Sequence, residues 1–148
     1  PPSFRIETDA AMPSLVTWRT PLSQIFANLI ANAVAHHDRD SGCIWISARA
    51  CGEYCEFEVS DDGPGIPEEH QQTVLQVFQV LQPRDKAKHS GLGLALVKKL
   101  VESHDGELLI ESGKGRGTTF RFTWPMAAKS YGQRVPPVND NSSKSPTD

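Results

Sequence analysis

The sequence predicts an α/β fold of the α+β kind: a two-layer sandwich with a mixed β-sheet and helices on one of its faces. Three observations predict it. Short runs alternate apolar and polar residues, in pairs, at the start, middle and end of the chain. Two longer windows carry apolar residues at every third and fourth position, and glycine- and proline-rich loops separate the segments.

Phe4–Thr8 alternates and reads as a first strand, with Ser14–Arg19 as its partner. Thr20 is placed as the cap of the next helix and Pro21 at its first helical position. Leu22, Ile25, Phe26, Leu29, Ile30 and Ala33 form one apolar stripe along that helix, which ends near His36–Asp38 before an HDRDSG loop. Strands at Ile44–Ala50 and Tyr54–Ser60 follow, joined by a turn at Cys51-Gly52-Glu53, with Ile44, Ile46 and Ala48 on the buried face. After the loop DDGPGIP, Glu68–Leu81 is a helical stretch, and the polar segment Gln82–Ser90 is predicted to be mobile. A second long helix covers about Leu92 to His104, with Leu94, Val97, Leu100 and Val101 inward and Gly106 as its stop. Strands at Glu107–Ser112 and Thr118–Trp124 close the domain around GKGRG.

The chain has 148 residues and a net charge of −3, with 38% hydrophobic residues, below the usual share of about 45–50%. The deficit lies in residues 127–148, where Val135, Val138 and Tyr131 are the only large apolar groups. That stretch is expected to be a disordered tail on a domain at 1–126. The charge balance, with no basic run, argues against a nucleic-acid module. No apolar stretch approaches the roughly 18 residues of a membrane span, and PPSFRIETD is no signal peptide. A cytoplasmic domain without membrane contact is expected, whatever anchors a longer parent. Cys43, Cys51 and Cys55 read as reduced thiols, since Cys51-x3-Cys55 has no further ligands at metal-site spacing.

Three clusters carry chemistry. Asn28 and Asn32 lie one helical turn apart beside the apolar stripe. They are either two solvated amides or hard oxygen donors of the kind Mg²⁺ accepts together with phosphates. Asp61, at a strand end, can accept from an exocyclic amine, while Gly63 and Gly65 permit close approach of a flat ring and Ile66 can pack on it; an ordinary acidic turn is the other reading. Ser90-Gly91-Leu92-Gly93-Leu94 opens the second long helix, where free N–H groups favour a polyphosphate. It is neither a dinucleotide-binding fingerprint nor a P-loop.

In order along the chain, these segments resemble the ATP-binding catalytic domain of sensor histidine kinases, in the GHKL superfamily with its Bergerat fold. QIFANLIANAVAHH resembles the N box, DDGPGI the G1 box, VLQVFQ the F box, GLGLALVKKLVESHDGEL the G2 box and GKGRGTTFRFTWP the closing G3 region. The resemblance implies ATP and Mg²⁺ as cofactors. It implies catalytic roles for Asn32 as metal ligand and Asn28 as phosphate or metal-shell contact, and a place for His36 beside the nucleotide. Asp61 becomes the adenine-amine acceptor, with Gly63, Gly65 and Ile66 shaping its pocket and Thr119 supporting adenine. Gly91, Leu92, Gly93 and Leu94 would hold phosphates, and Gln82–Ser90 becomes an ATP lid contributing Arg84 or Lys88. One departure is Ala35, which stands where the family's N box usually has lysine.

The implied reaction is transfer of the γ-phosphate to a histidine on a separate dimerisation domain. A response regulator acts downstream and the parent is a homodimer. The hairpin that bears the acceptor is not seen in this sequence, so the chain is expected to bind ATP with little autophosphorylation. A gyrase- or chaperone-like ATPase is disfavoured because Asn28 stands where such enzymes need a glutamate, and an amide cannot take a proton from water. Ala35 leaves a nucleotide-binding pseudokinase or interaction module as the alternative. An anti-sigma-factor serine kinase shares the fold but fits the F box and G3 region less well.

Overall fold

The computed structural model describes residues 3–70, 91–113 and 117–127, with Gly91 and Leu92 as backbone only. Most of the expected helix at Glu68–Leu81, the lid segment with Arg84 and Lys88, and the tail from residue 128 lie outside the described residues. Five strands form one sheet: β1 (Ser3–Thr8), β2 (Ser41–Cys51), β3 (Tyr54–Asp61), β4 (Leu108–Ser112) and β5 (Thr118–Pro125). Their order is β1-β2-β3-β5-β4, with β1 parallel to β2 and every other pair antiparallel. Helices α1 (Arg19–Ala35) and α2 (Gly91–Ser103) supply the second layer.

Side-chain alternation decides which face the helices cover. Ile44 and Ile46 on β2, Cys55, Phe57 and Val59 on β3, and Phe120, Phe122 and Trp124 on β5 form one core with Ile25, Leu29 and Ala33 of α1 and Leu94, Val97 and Val101 of α2. Phe26 of α1 meets Phe57 and Phe122 edge-on, at centroid distances of 5.2 and 5.6 Å, so three aromatic rings join the layers. The opposite face is polar: Arg121 reaches Glu58 at 2.7 Å, Glu111 at 2.8 Å and Glu56 at 3.6 Å. Two layers on a mixed sheet are what the sequence predicts.

Four local expectations change. Ser14–Arg19 does not pair with β1. It contributes one bridge, Val16 with Ala127, while β1 lies along β2 with Ile6 opposite Ile44. A parallel edge on β2 satisfies β1's backbone groups and leaves Thr17 to accept a bond from the buried Trp124 indole at 2.6 Å. The cap residue of α1 is Trp18, whose side chain makes no capping hydrogen bond, and Pro21 is the third helical residue, still within the first turn where no N–H is needed. Ser41 and Gly42, expected in a loop, begin β2. Finally, Asp105, not Gly106, takes the positive φ (60°) that ends α2. Asp105 N–H bonds Glu102 O at 3.1 Å and Gly106 N–H bonds Val101 O at 2.9 Å, the paired bonds of a Schellman stop. Gly106 is needed for another reason: a Cβ there would overlap the Thr123 carbonyl of β5.

Candidate nucleotide-binding site

The structure brings two of the three clusters together, seating Asn28 of α1 against Gly93 of α2. On α1, Leu29 and Asn32 share the inward side, and Asn32 is 7% exposed. Asn28, one turn earlier, is half-buried, and its Oδ1 lies 3.1 Å from where a Cβ on Gly93 would stand. The amide-bearing helix therefore meets the start of α2 at its second glycine, which is where free backbone N–H groups are expected. Leu94 is buried in the core, so any phosphate contact there falls to its backbone. His36 is the exposed C-cap of α1, and its N–H bonds Asn32 O at 3.1 Å. Ala35, the last residue of α1, is exposed and offers no cation.

Asp61 ends β3 opposite Ile44 and alternates onto the covered face after Val59. Its carboxylate accepts the Gly63 N–H at 2.8 Å and is also bonded by the Thr118 backbone. Burial pushes its pKa above the usual value of 3.8 although both N–H bonds pull the other way. A desolvated acceptor carboxylate beside a loop is the chemistry an exocyclic amine needs. Thr119 points to the other face, where its hydroxyl meets Ser60 at 2.8 Å. The hydroxyl on Asp61's face is that of Thr118, 7% exposed. One residue of register separates the two, and period-two alternation sends them to opposite sides.

The glycine loop closes on the protein itself. Gly65 has φ 75°, and a Cβ on it would overlap the Gly113 carbonyl. Ser112, which the sequence reading missed, is the fastener: its hydroxyl accepts from Ile66 N–H at 2.6 Å, donates to Gly117 O at 3.0 Å, and meets Thr118 Oγ1 at 2.9 Å. A serine before a Gly-Lys-Gly turn gives little hint of this. His37 was also missed. Its ring has no exposed side-chain surface and bonds Asp62 Oδ1 at 2.9 Å. The N–H of Cys43 bonds the same oxygen at 2.9 Å, and these two bonds hold the Asp62 carboxyl below its usual pKa.

Comparison with known proteins fits this geometry. Residues 19–128 match the family model described as histidine kinase-, DNA gyrase B-, and HSP90-like ATPase. The chain belongs to this family. Within it, the domain is homologous to the ATP-binding catalytic domains of sensor histidine kinases. It is 35% identical over 127 residues to cyanobacterial phytochrome A of Nostoc sp., covering 86% of this chain and 17% of that protein. It is 43% identical over 106 residues to the circadian input-output histidine kinase CikA of Synechococcus elongatus, covering 70% of this chain and 14% of that one. The chain thus spans less than a fifth of these relatives. Among solved structures, full-length ShkA in complex with AMPPNP superposes with a TM-score of 0.67 at 25% identity, over 84% of this chain and 26% of that one. The nucleotide-free catalytic domain of histidine kinase ThkA gives 0.62 at 27% identity, over 84% and 79%. The three cysteines of this family member are unpaired, and no metal-holding cluster of His, Cys, Asp or Glu occurs among the described residues. None of the described helices is long and apolar enough to cross a membrane.

Proposed function

We propose that this HATPase domain binds Mg²⁺·ATP and delivers the γ-phosphate to a histidine on a separate dimerisation domain of a two-component sensor kinase. In this reading Asp61 accepts the adenine amine, with Gly63, Gly65 and Ile66 forming the ring pocket. The backbone that opens α2 at Gly91, Leu92 and Gly93 takes the phosphates. Asn32 ligates the metal and Asn28 contacts a phosphate or a metal-bound water. The lid residues Arg84 and Lys88 add cations, and His36 stands beside the nucleotide. The parent is a homodimer that signals to a response regulator.

The observation that carries this reading is the seating of Asn28 against Gly93. It puts an uncharged oxygen donor next to a helix start, while Asp61 supplies a desolvated acceptor at the end of β3. Two amide oxygens suit Mg²⁺, which takes few protein ligands and shares the rest among phosphates and water. Bound there, the ion would neutralise charge on the β- and γ-phosphates. The chain's own work is to orient the nucleotide and exclude water from its adenine end. Neither asparagine can serve as a base, which suits an acceptor imidazole that is itself a nucleophile.

Isothermal titration should show Mg²⁺-dependent ATP binding, and Asn32→Ala should abolish the metal dependence while adenosine binding persists. Adding a histidine-bearing dimerisation domain in trans should yield phosphohistidine. Unchanged Mg²⁺·ATP affinity in the alanine variant refutes the metal assignment. Binding without phosphotransfer favours the pseudokinase alternative raised by Ala35.

A further inference from the structure

We infer that His37 is a positioning residue which, through Asp62, fixes where Asp61 presents its carboxylate; this rests on the reading of Asp61 as the adenine acceptor. The β2–β3 ladder ends at Ile44 opposite Asp61, so Asp62 is the first residue outside the sheet. Its side chain takes over from the ladder, accepting the N–H of Cys43, the next residue along β2, at 2.9 Å. His37, two residues beyond α1, donates to the same carboxylate oxygen at 2.9 Å. The Arg39 N–H points at Nδ1 at 3.1 Å, nearer than Asp38 Oδ1 at 3.4 Å, and so favours Nε2 as the donor to Asp62. Arg39 Nη2 then donates to the Asp62 carbonyl at 3.3 Å. The loop after α1 thus grips Asp62 by side chain and main chain.

The grip is rigid. The imidazole is fully covered and meets the edge of Phe4 on β1, with centroids 5.2 Å apart at 77°. Asp61 and Gly63, the residues either side of Asp62, are joined by the bond from Gly63 N–H to the Asp61 carboxylate. Moving Asp62 therefore moves both ends of the bond that orients Asp61. His37 also follows directly from the helix carrying Asn28 and Asn32, so one buried ring ties the phosphate-side helix to the adenine-side carboxylate.

The test is ATP against GTP affinity in the full chain, by titration, since guanine lacks the amine Asp61 is read to bind. His37→Ala should weaken ATP about tenfold, the scale of one well-formed hydrogen bond, and leave the weak binding of GTP unchanged. His37→Gln, whose amide N–H can reach Asp62, should restore most of the preference. Asp62→Asn keeps an acceptor for Cys43 and His37 and should stay near wild type, while Asp62→Ala should behave as His37→Ala. ATP and GTP affinities falling together would mark a merely structural role and overturn the inference, as would an unchanged ATP preference in both alanine variants. Asp61→Asn separates the two levels. If it lowers the preference and His37→Ala does not, only the positioning role fails; if it does not, the adenine assignment fails and takes the inference with it.

Discussion

Replacing Gly117 with alanine tests whether the G3 turn and the Asp61 loop form one unit. Gly117 has φ 72°, a conformation that costs an L-residue about 1–2 kcal/mol. Its N–H bonds Gly63 O at 3.0 Å. A Cβ there would lie 3.0 Å from the Asp61 carbonyl carbon and overlap its oxygen, so main chain must move. Movement breaks the bond to Gly63 in a buried place, adding about 1–3 kcal/mol. Gly52, in the two-residue β2–β3 turn, has φ 62° with open space around its Cβ position, so Gly52→Ala carries the conformational cost alone. The expected losses are about 1 kcal/mol for Gly52→Ala and about 3 kcal/mol for Gly117→Ala. Urea denaturation with linear extrapolation measures both. Two variants within about 0.5 kcal/mol of each other would refute the reasoning, because the clash would then contribute nothing beyond ordinary error in independent sites.

Asp61 should give adenosine binding an acid limit above the ordinary carboxylate range, since burial raises its pKa and a proton on the acceptor removes the amine's partner. NMR titration from neutral pH downwards should show affinity falling there, and Asp61→Asn should lack that limb; a limb that survives in the variant counts against the assignment. The same raised value means that protonating Asp61 favours the folded state, whereas the depressed Asp62 contributes stability above the unfolded carboxyl pKa and loses it as pH falls through its own lower value. Ser112→Ala should cost about 1–3 kcal/mol by removing the hydroxyl's bonds to Ile66 N–H, Gly117 O and Thr118 Oγ1. Amide exchange at Ile66 should accelerate with it, and unchanged exchange would show that the serine does not hold the loop.

The elements legible in the sequence are those whose cause is local. The β2–β3 hairpin, the stripe on α1 and the β4–β5 pair were readable because alternation and spacing act over a few residues. What failed depends on distant partners. Nothing near Phe4–Thr8 says that its neighbour is β2, some forty residues on, rather than Ser14–Arg19. At the end of α2 the glycine drew attention, yet the left-handed residue is Asp105, and Gly106 answers to a strand that arrives later in the chain. The site divides the same way. Asp61, Asn28 and the α2 glycines are proposed from residue type and order. Thr118, in place of Thr119 as the hydroxyl on Asp61's face, needed the sheet's exact alternation. His37 looked like a loop histidine until Phe4 and Asp62 closed around it, and Ser112 acquired its three bonds only when the two loops met.

The seam between β3 and β5 governs how the domain can reach its fold. β2 with β3, and β4 with β5, are neighbours in sequence and can zip on the microsecond scale of isolated hairpins. Joining them pairs Ser60 with Thr119 across 59 positions, so a large loop must close before Phe57 can stack on Phe122 at 5.1 Å. Until then each hairpin carries a bare edge, that of β5 lined by Phe120, Phe122 and Trp124, that will accept any other strand of suitable register. Refolding yield should therefore fall with protein concentration well before native stability is limiting, and the encounter of two hairpins, not the making of either, should set the rate.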